Sequence, residues 1–203
     1  MIMFNLSASL SIAGVALVAL AACSNPRGRL MSDSDQDLVG ERAAGAAAYD
    51  RLISDSVGKM LSDFNAARTA ERPFKVVCLA VENRSAEELG DWQEQLYSLI
   101  TTSVSTADRF DLVSRRFVEA ALRETRLRPS DLFIPSKRRQ FIAVLEAQGE
   151  PVDAIVFPNL TSGTTEGEGK VRQRNYLLEL EMVDVTNGSQ RSYTARLRKE
   201  YQG

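Results

Sequence analysis

The chain contains no histidine among its 203 residues and only two cysteines. The absence of histidine excludes Ser-His and Cys-His nucleophilic pairs, the commonest general base and zinc sites with imidazole ligands. A net charge of −2 gives no excess of the kind that attracts nucleic acid. No motif brings two carboxylates together for acid–base work. We therefore expect a protein that is not an enzyme, with no cofactor, metal, small-molecule substrate or nucleic acid as its ligand.

The N-terminal segment is apolar and carries no Lys or Arg. Its apolar run, from about Leu10 to Ala22, is shorter than the roughly 20 residues of a membrane span and has the length typical of a signal peptide. It ends in Leu20-Ala21-Ala22-Cys23, which resembles the lipobox of bacterial lipoproteins. The alternative is a plain signal peptide or a short anchor helix in which Cys23 is incidental.

The resemblance to a lipobox implies cleavage before Cys23 and lipidation of its thiol, including palmitate-type acyl chains. Two or three acyl chains anchor a protein firmly, whereas a single chain binds a membrane only marginally. In lipoproteins an Asp directly after the cysteine favours retention in the inner membrane. Ser24 stands at that position here, which implies an outer-membrane location on the periplasmic face.

The remaining chain predicts one domain on a short tether. Polar residues with Pro, Gly and Ser occupy positions 24–36. We therefore assign 1–22 to a lipoprotein signal peptide, 23–36 to the tether and 37–203 to a single domain, a length that supports a real core. Cys78 lies in an apolar, strand-like run and is interpreted as a buried small hydrophobe rather than a reactive thiol.

Apolar periodicity predicts the order helix, strand, helix, strand, two helices and three strands. Ser85-x-x-Glu88 matches a capping box and predicts the start of the second helix. Pro158 predicts an irregular or edge position in its strand, and Asn187-Gly188 predicts a hairpin. The fold class is therefore α+β: one mixed four- to five-stranded sheet packed with about four helices and ending in an antiparallel meander. The predicted elements cover 37–64, 75–82, 85–104, 110–113, 115–126, 136–148, 153–160, 172–185 and 190–199.

From about Phe74 to Gln202 the chain resembles the LpoB-type penicillin-binding protein activators. The stretches that carry the resemblance are VCLAVENRS, LITTSVSTADRFDLVSR, LRETRLRPSDLF and VDAIVFPNLTSG, followed by a hairpin ending in DVTNGSQRSYTARLRKE. The resemblance implies a non-enzymatic outer-membrane lipoprotein that binds and activates a bifunctional penicillin-binding protein and so regulates peptidoglycan synthesis. The best-known members have a long tether, whereas this one is short.

The same fold group includes CsgG-like periplasmic domains. This relation leaves a second interpretation open: a non-enzymatic envelope adaptor lipoprotein of another periplasmic or secretion assembly.

Basic residues outnumber acidic ones between positions 109 and 139. One interpretation is a solvated face or a charge match within the fold. The other is a docking patch for an acidic protein surface, made by two basic helices and centred on Arg115, Arg116, Arg138 and Arg139, because arginine is frequent at interface hot spots. The basic residues are Arg109, Arg115, Arg116, Arg123, Arg126, Arg128, Lys137, Arg138 and Arg139, and the acidic ones are Asp111, Glu119, Glu124 and Asp131.

Overall fold

The structure, a computed structural model, describes residues 44–67, 72–166 and 171–202. The predicted signal peptide, Cys23 and the tether lie outside the described residues, as do positions 37–43 of the first predicted helix. The described elements are α1 (Ala46–Ala67), β1 (Phe74–Cys78), β2 (Glu82–Arg84), α2 (Trp92–Ser105), β3 (Phe110–Leu112), α3 (Arg115–Thr125), a 3₁₀ helix (Pro129–Phe133), α4 (Pro135–Ala147), β4 (Ala154–Glu166), β5 (Val171–Asp184) and β6 (Gln190–Gln202).

One mixed sheet organises the fold in the strand order β3-β1-β4-β5-β6. β1 runs parallel to β3 and β4, whereas β4, β5 and β6 form an antiparallel meander. The predicted α+β class, with four helices and this C-terminal meander, is confirmed. One strand was not predicted from the sequence: the short β2 pairs with β4 beyond the end of β1 and makes the sheet six-stranded.

The break between β1 and β2 explains how a proline fits into a central strand. β1 pairs with β4 as far as Val156, and β2 begins its pairing at Asn159. Pro158 lies between these two points, where it faces no partner on that side and needs no N–H donor. The predicted irregularity is therefore real, although β4 is not an edge strand.

The two faces of the sheet carry different helices because side chains alternate along each strand. Val156 and Leu160 of β4 face the core under α1 and α2, whereas Ile155 and Phe157 face the core under α3 and α4. α1 belongs fully to the first core: the exposure of its apolar stripe is 3% at Tyr49, 1% at Leu52, 3% at Ile53, 2% at Val57 and 0% at Met60. None of the described helices is long and apolar enough to cross a membrane.

The predicted start of the second helix is wrong. The Asn83 side-chain oxygen accepts hydrogen bonds from both the Ser85 N–H, at 2.9 Å, and the Ser85 hydroxyl, at 2.7 Å, so the serine closes a turn instead of capping a helix. Gly90 then adopts φ +50°, which no helix interior accommodates, and α2 begins only at Trp92. The capping-box pattern was outcompeted by local turn chemistry.

Candidate docking surface

The layer formed by α3, the 3₁₀ helix and α4 exposes apolar side chains beside arginines. The exposed fraction is 39% for Phe117, 38% for Phe133 and 46% for Ile134. The Phe133 ring is held in place because it stacks on Phe157, with 4.2 Å between ring centroids. We call this layer the α3–α4 surface; it comprises Arg116, Phe117, Arg123, Arg126, Arg128, Phe133, Ile134 and Arg139.

The helices present these residues because their other sides are committed to the core. Val118 and Ala121 of α3 are buried against the sheet, so Arg116 and Arg123, seven positions apart, share the outer side. α3 ends at Thr125, and the following Arg126 adopts the left-handed conformation with φ 55°, which turns the chain away from the helix. The outer side of α3 is therefore basic.

A second set of contacts fixes the loop that joins α3 to α4. The Asp131 carboxylate accepts a hydrogen bond from the Arg128 N–H at 2.8 Å and one from the Lys137 ammonium at 2.6 Å. The bond to Lys137, together with the Arg128 N–H, lowers the pKa of the Asp131 carboxyl below its ordinary value. The loop that carries Phe133 and Ile134 is thus tied at both ends.

The structure does not bring the four predicted arginines together as one patch. Arg115 bonds to Glu119 at 2.7 Å and to Glu94 of α2 at 3.0 Å, and its guanidinium lies 4.7 Å from the centre of the Tyr97 ring. Bonding to the two glutamates, Glu94 first, raises the pKa of Arg115. This arginine joins α3 to α2 and is already paired.

Arg138 is turned into the fold. Arg138 is only 9% exposed, and its Nη1 donates a hydrogen bond to the Leu132 carbonyl at 3.4 Å. The guanidinium also lies close to Gly188 in the turn between β5 and β6. Arg116 and Arg139, by contrast, are exposed and form no ion pair within the part of the chain that the structure describes. Of the four predicted residues, these two remain available for a partner.

The apolar part of this surface was not predicted from the sequence. The predicted docking patch rested on charge alone and included none of Phe117, Phe133 and Ile134. The sequence does carry a signal for Phe133 and Ile134. They are adjacent apolar residues in a short loop between two helices, so neither belongs to an apolar helix stripe that would bury it. Aromatic side chains beside arginines are typical of protein–protein interfaces.

The described residues offer little for chemistry elsewhere. Across 44–67, 72–166 and 171–202, no group of three or more acidic or Cys side chains is placed to hold a metal ion. Cys78 is buried, as predicted, and burial raises the pKa of its thiol to about 12. Such a thiol is inert at neutral pH.

No family model matches the chain, and no curated protein matches its sequence. Its structure is similar to the LpoB C-terminal domain from Salmonella enterica, with a TM-score of 0.51 at 18% sequence identity over 73% of this chain and 97% of that one. It is also similar to the NMR structure of Escherichia coli LpoB, with a TM-score of 0.50 at 14% identity over 94% of this chain and 90% of that one. The chain has an LpoB-like fold.

Proposed function

We propose that the chain is an outer-membrane lipoprotein that regulates peptidoglycan synthesis by binding and activating a bifunctional penicillin-binding protein. The observation that carries this proposal is an LpoB-like fold whose α3–α4 surface combines exposed aromatic rings with unpaired arginines. The lipobox at Leu20-Ala21-Ala22-Cys23 supplies the anchor on the periplasmic face. The protein acts by contact rather than by catalysis, in keeping with a sequence that has no histidine.

Activation by contact requires that the lipoprotein bind the active state of the synthase more tightly than the inactive state. Phe117 and Ile134 supply exposed apolar area for such a contact, and Arg116 and Arg139 supply positive charge. Charges at the rim mainly raise the association rate and the selectivity for an acidic surface. The association is therefore expected to weaken as salt concentration rises.

The test adds the purified Cys23→Ala chain to the organism's bifunctional penicillin-binding proteins and follows glycan polymerisation and cross-linking. We expect a higher rate with one of them, and a loss of that effect in the Arg116→Glu/Arg139→Glu variant. The matched control is Arg51→Glu/Arg198→Glu, which changes the net charge equally at exposed positions of α1 and β6. Control and test variants must melt at the same temperature.

The two failures of this test differ in meaning. No binding and no rate change with any of the synthases would refute the proposal and leave an envelope adaptor of another assembly as the alternative. Activation that survives Arg116→Glu/Arg139→Glu with unchanged salt dependence would keep the function but remove the α3–α4 surface as the docking site.

A further inference from the structure

The last strand of the sheet has one side without a partner strand. In the order β3-β1-β4-β5-β6, β6 stands at the end, and it pairs with β5 over its whole length of 13 residues. Its other side pairs with no strand among the residues that the structure describes. An edge of this kind presents a row of backbone N–H and C=O groups with which another extended segment can pair.

The strand register shows which backbone groups of β6 point outward. The Val156 carbonyl accepts a hydrogen bond from the Leu79 N–H at 3.0 Å, so the even-numbered residues of β4 point toward β1. The hydrogen-bonding direction alternates along a strand, and the registers of β4 with β5 and of β5 with β6 run without a bulge. The odd-numbered residues of β6 therefore bond to β5, and the even-numbered ones point away from the sheet. The outward set contains Ser192, Thr194, Arg196, Arg198 and Glu200.

Only part of this outward row is covered by another element of the described chain. The Lys59 ammonium of α1 donates a hydrogen bond to the Thr194 carbonyl at 2.6 Å, which agrees with the outward direction of that residue. A lysine at a sheet edge protects it from pairing with another strand. Beyond Thr194, the outward backbone groups of Arg196 and Arg198 form no hydrogen bond within the described residues. The edge is therefore open from Arg196 onward.

The side chains of this open stretch differ between the two sides of the sheet. Arg196 and Arg198 are exposed on the side away from α1, and neither forms an ion pair within the described ranges. Leu197 stands between them on the other side, where it is half-buried at the border of the core under α1 and α2. A strand added here would thus meet positive charge on one side and apolar area on the other.

We propose that β6, from Arg196 to Glu200, docks an extended segment of a partner protein as an additional antiparallel strand. The segment alternates acidic and apolar residues. Its carboxylates stand beside Arg196 and Arg198, and its apolar side chains lie against Leu197 and extend the core. Antiparallel pairing continues the meander and is slightly more stable per residue than parallel pairing. Main-chain hydrogen bonds supply the affinity, and the alternating side chains supply the specificity.

A second copy of the chain fits this edge less well. Antiparallel self-pairing centred anywhere from Arg196 to Arg198 places an arginine of one copy opposite an arginine of the other, which is unfavourable. The edge of β6 is not part of the α3–α4 surface, so the proposal goes beyond the proposed function and stands if no synthase is activated. The Arg51→Glu/Arg198→Glu variant should lose this docking and keep activation of the synthase.

The test measures, by anisotropy, binding of the fluorescent peptide Lys-Val-Glu-Val-Glu-Val to the purified Cys23→Ala chain. In antiparallel register its lysine faces Glu200 and its glutamates face the two arginines. A peptide N-methylated at both glutamates loses N–H groups that point to β6, whereas one N-methylated at two valines loses N–H groups that point away. We expect the first to bind about tenfold more weakly or worse, and the second to stay within about threefold of the unmodified peptide.

Changes in β6 test the protein side of the same contact. Arg196→Glu/Arg198→Glu should weaken binding by about tenfold or more. Arg198→Pro should weaken it as well, because it removes an outward N–H that β5 does not use. The matched control, Arg51→Glu/Arg109→Glu, reverses two exposed charges elsewhere and should change the affinity less than about twofold. Thermal melts identify any variant that is unfolded, and the comparison of methylated peptides needs no variant.

Three results would overturn the proposal. The first is that the unmodified peptide does not bind, or that both methylated peptides are weakened equally, because backbone pairing would then be absent. The second is equal weakening in Arg196→Glu/Arg198→Glu and its control. The third is self-association that Arg198→Pro abolishes, because the occupant of the edge would then be a second copy of the chain.

Discussion

Arg138 and Arg139 are adjacent in sequence and have opposite environments. Arg138 lies three, four and seven positions before Phe141, Ile142 and Leu145, which are the buried residues of α4. That spacing puts Arg138 on the inward side of the helix. The sequence therefore contained the signal that would have separated the two arginines, but clustering by charge alone concealed it.

Charge reversal at these two neighbours should have very different effects on stability. Arg138→Glu places a carboxylate beside the Leu132 carbonyl in a buried position, and we expect the free energy of unfolding to fall by about 3 kcal/mol. Arg139→Glu is exposed and should change it by no more than about 0.5 kcal/mol. Urea unfolding followed by circular dichroism measures both. Similar effects for the two variants would contradict the buried placement of Arg138.

At the scale of elements, Glu87 ties the beginning of α1 to the sheet. Its carboxylate accepts hydrogen bonds from the Tyr49 hydroxyl at 3.0 Å, the Ala44 N–H at 3.2 Å and Arg174 of β5 at 2.8 Å. Tyr176 of β5 also donates to it. Burial, with the nearby Glu87 carboxylate, raises the pKa of both tyrosines. We call this set of contacts the Glu87 clasp.

Removing the Glu87 carboxylate should destabilise the fold, because Arg174 and two tyrosine hydroxyls would lose their shared acceptor in a largely buried position. The side chain of Glu87 is 7% exposed and that of Arg174 is 16% exposed. We expect Glu87→Ala to lower the free energy of unfolding by about 3–5 kcal/mol. Glu88→Ala, at the exposed neighbouring position, is the control and should stay within about 0.5 kcal/mol. If chemical denaturation showed equal losses of unfolding free energy in the two variants, the Glu87 clasp would add no stability beyond that of an exposed position.

The loop between α3 and α4 should make stability depend on pH through Asp131. Its lowered pKa means that the contribution is present above the ordinary carboxyl range, near about 3.9, and is lost as the pH falls through the folded-state value. The difference in melting temperature between the natural chain and Asp131→Asn should therefore be largest near neutral pH and shrink toward zero at strongly acidic pH. A difference that stays constant across this range would contradict the ion pair with Lys137.

Much of the fold could be predicted at the scale of elements, because the long periodic segments dominate it. α1, α4 and the meander follow from their stripes and alternation. β2 could not be predicted, since three residues with exposed ends carry no alternation signal and are strand only through pairing with β4. The neighbours of Glu179 likewise depend on strand register. Local sequence places it two positions from Glu181, whereas only the pairing of β4 with β5 places it opposite Asn159.

At the scale of the whole molecule, the packing of α1 limits how far the domain can lie from its proposed membrane anchor. We interpreted positions 23–36 as a tether, and α1 could extend it only by leaving the domain. Burial of each large side chain of α1 contributes about 1.5–3 kcal/mol. The whole apolar stripe therefore contributes about as much as the free energy of unfolding of a typical domain. α1 therefore stays docked. Counted from Ser24 to Ala43, the covalent chain spans at most about 70 Å.

The proposed anchor gives a prediction about location. Cys23→Ala should release the protein from membranes, whereas Ser24→Asp should keep it lipidated and move it to the inner membrane. Separation of inner and outer membranes on a density gradient, followed by immunoblotting, measures both. Ser24→Asn is the matched neutral control and should remain in the outer membrane. A Cys23→Ala protein that still fractionates with membranes would refute lipidation at this residue.

The Glu87 clasp also has a mechanical consequence. With the proposed tether, the load from a bound partner reaches the described part of the domain at its first residue, Ala44. The clasp joins that point directly to β5 through Arg174 and Tyr176. Tension is thus transmitted to the central sheet instead of peeling α1 away turn by turn. We therefore expect the domain to keep its fold while it holds a partner under load, because its N-terminal end does not unfold first.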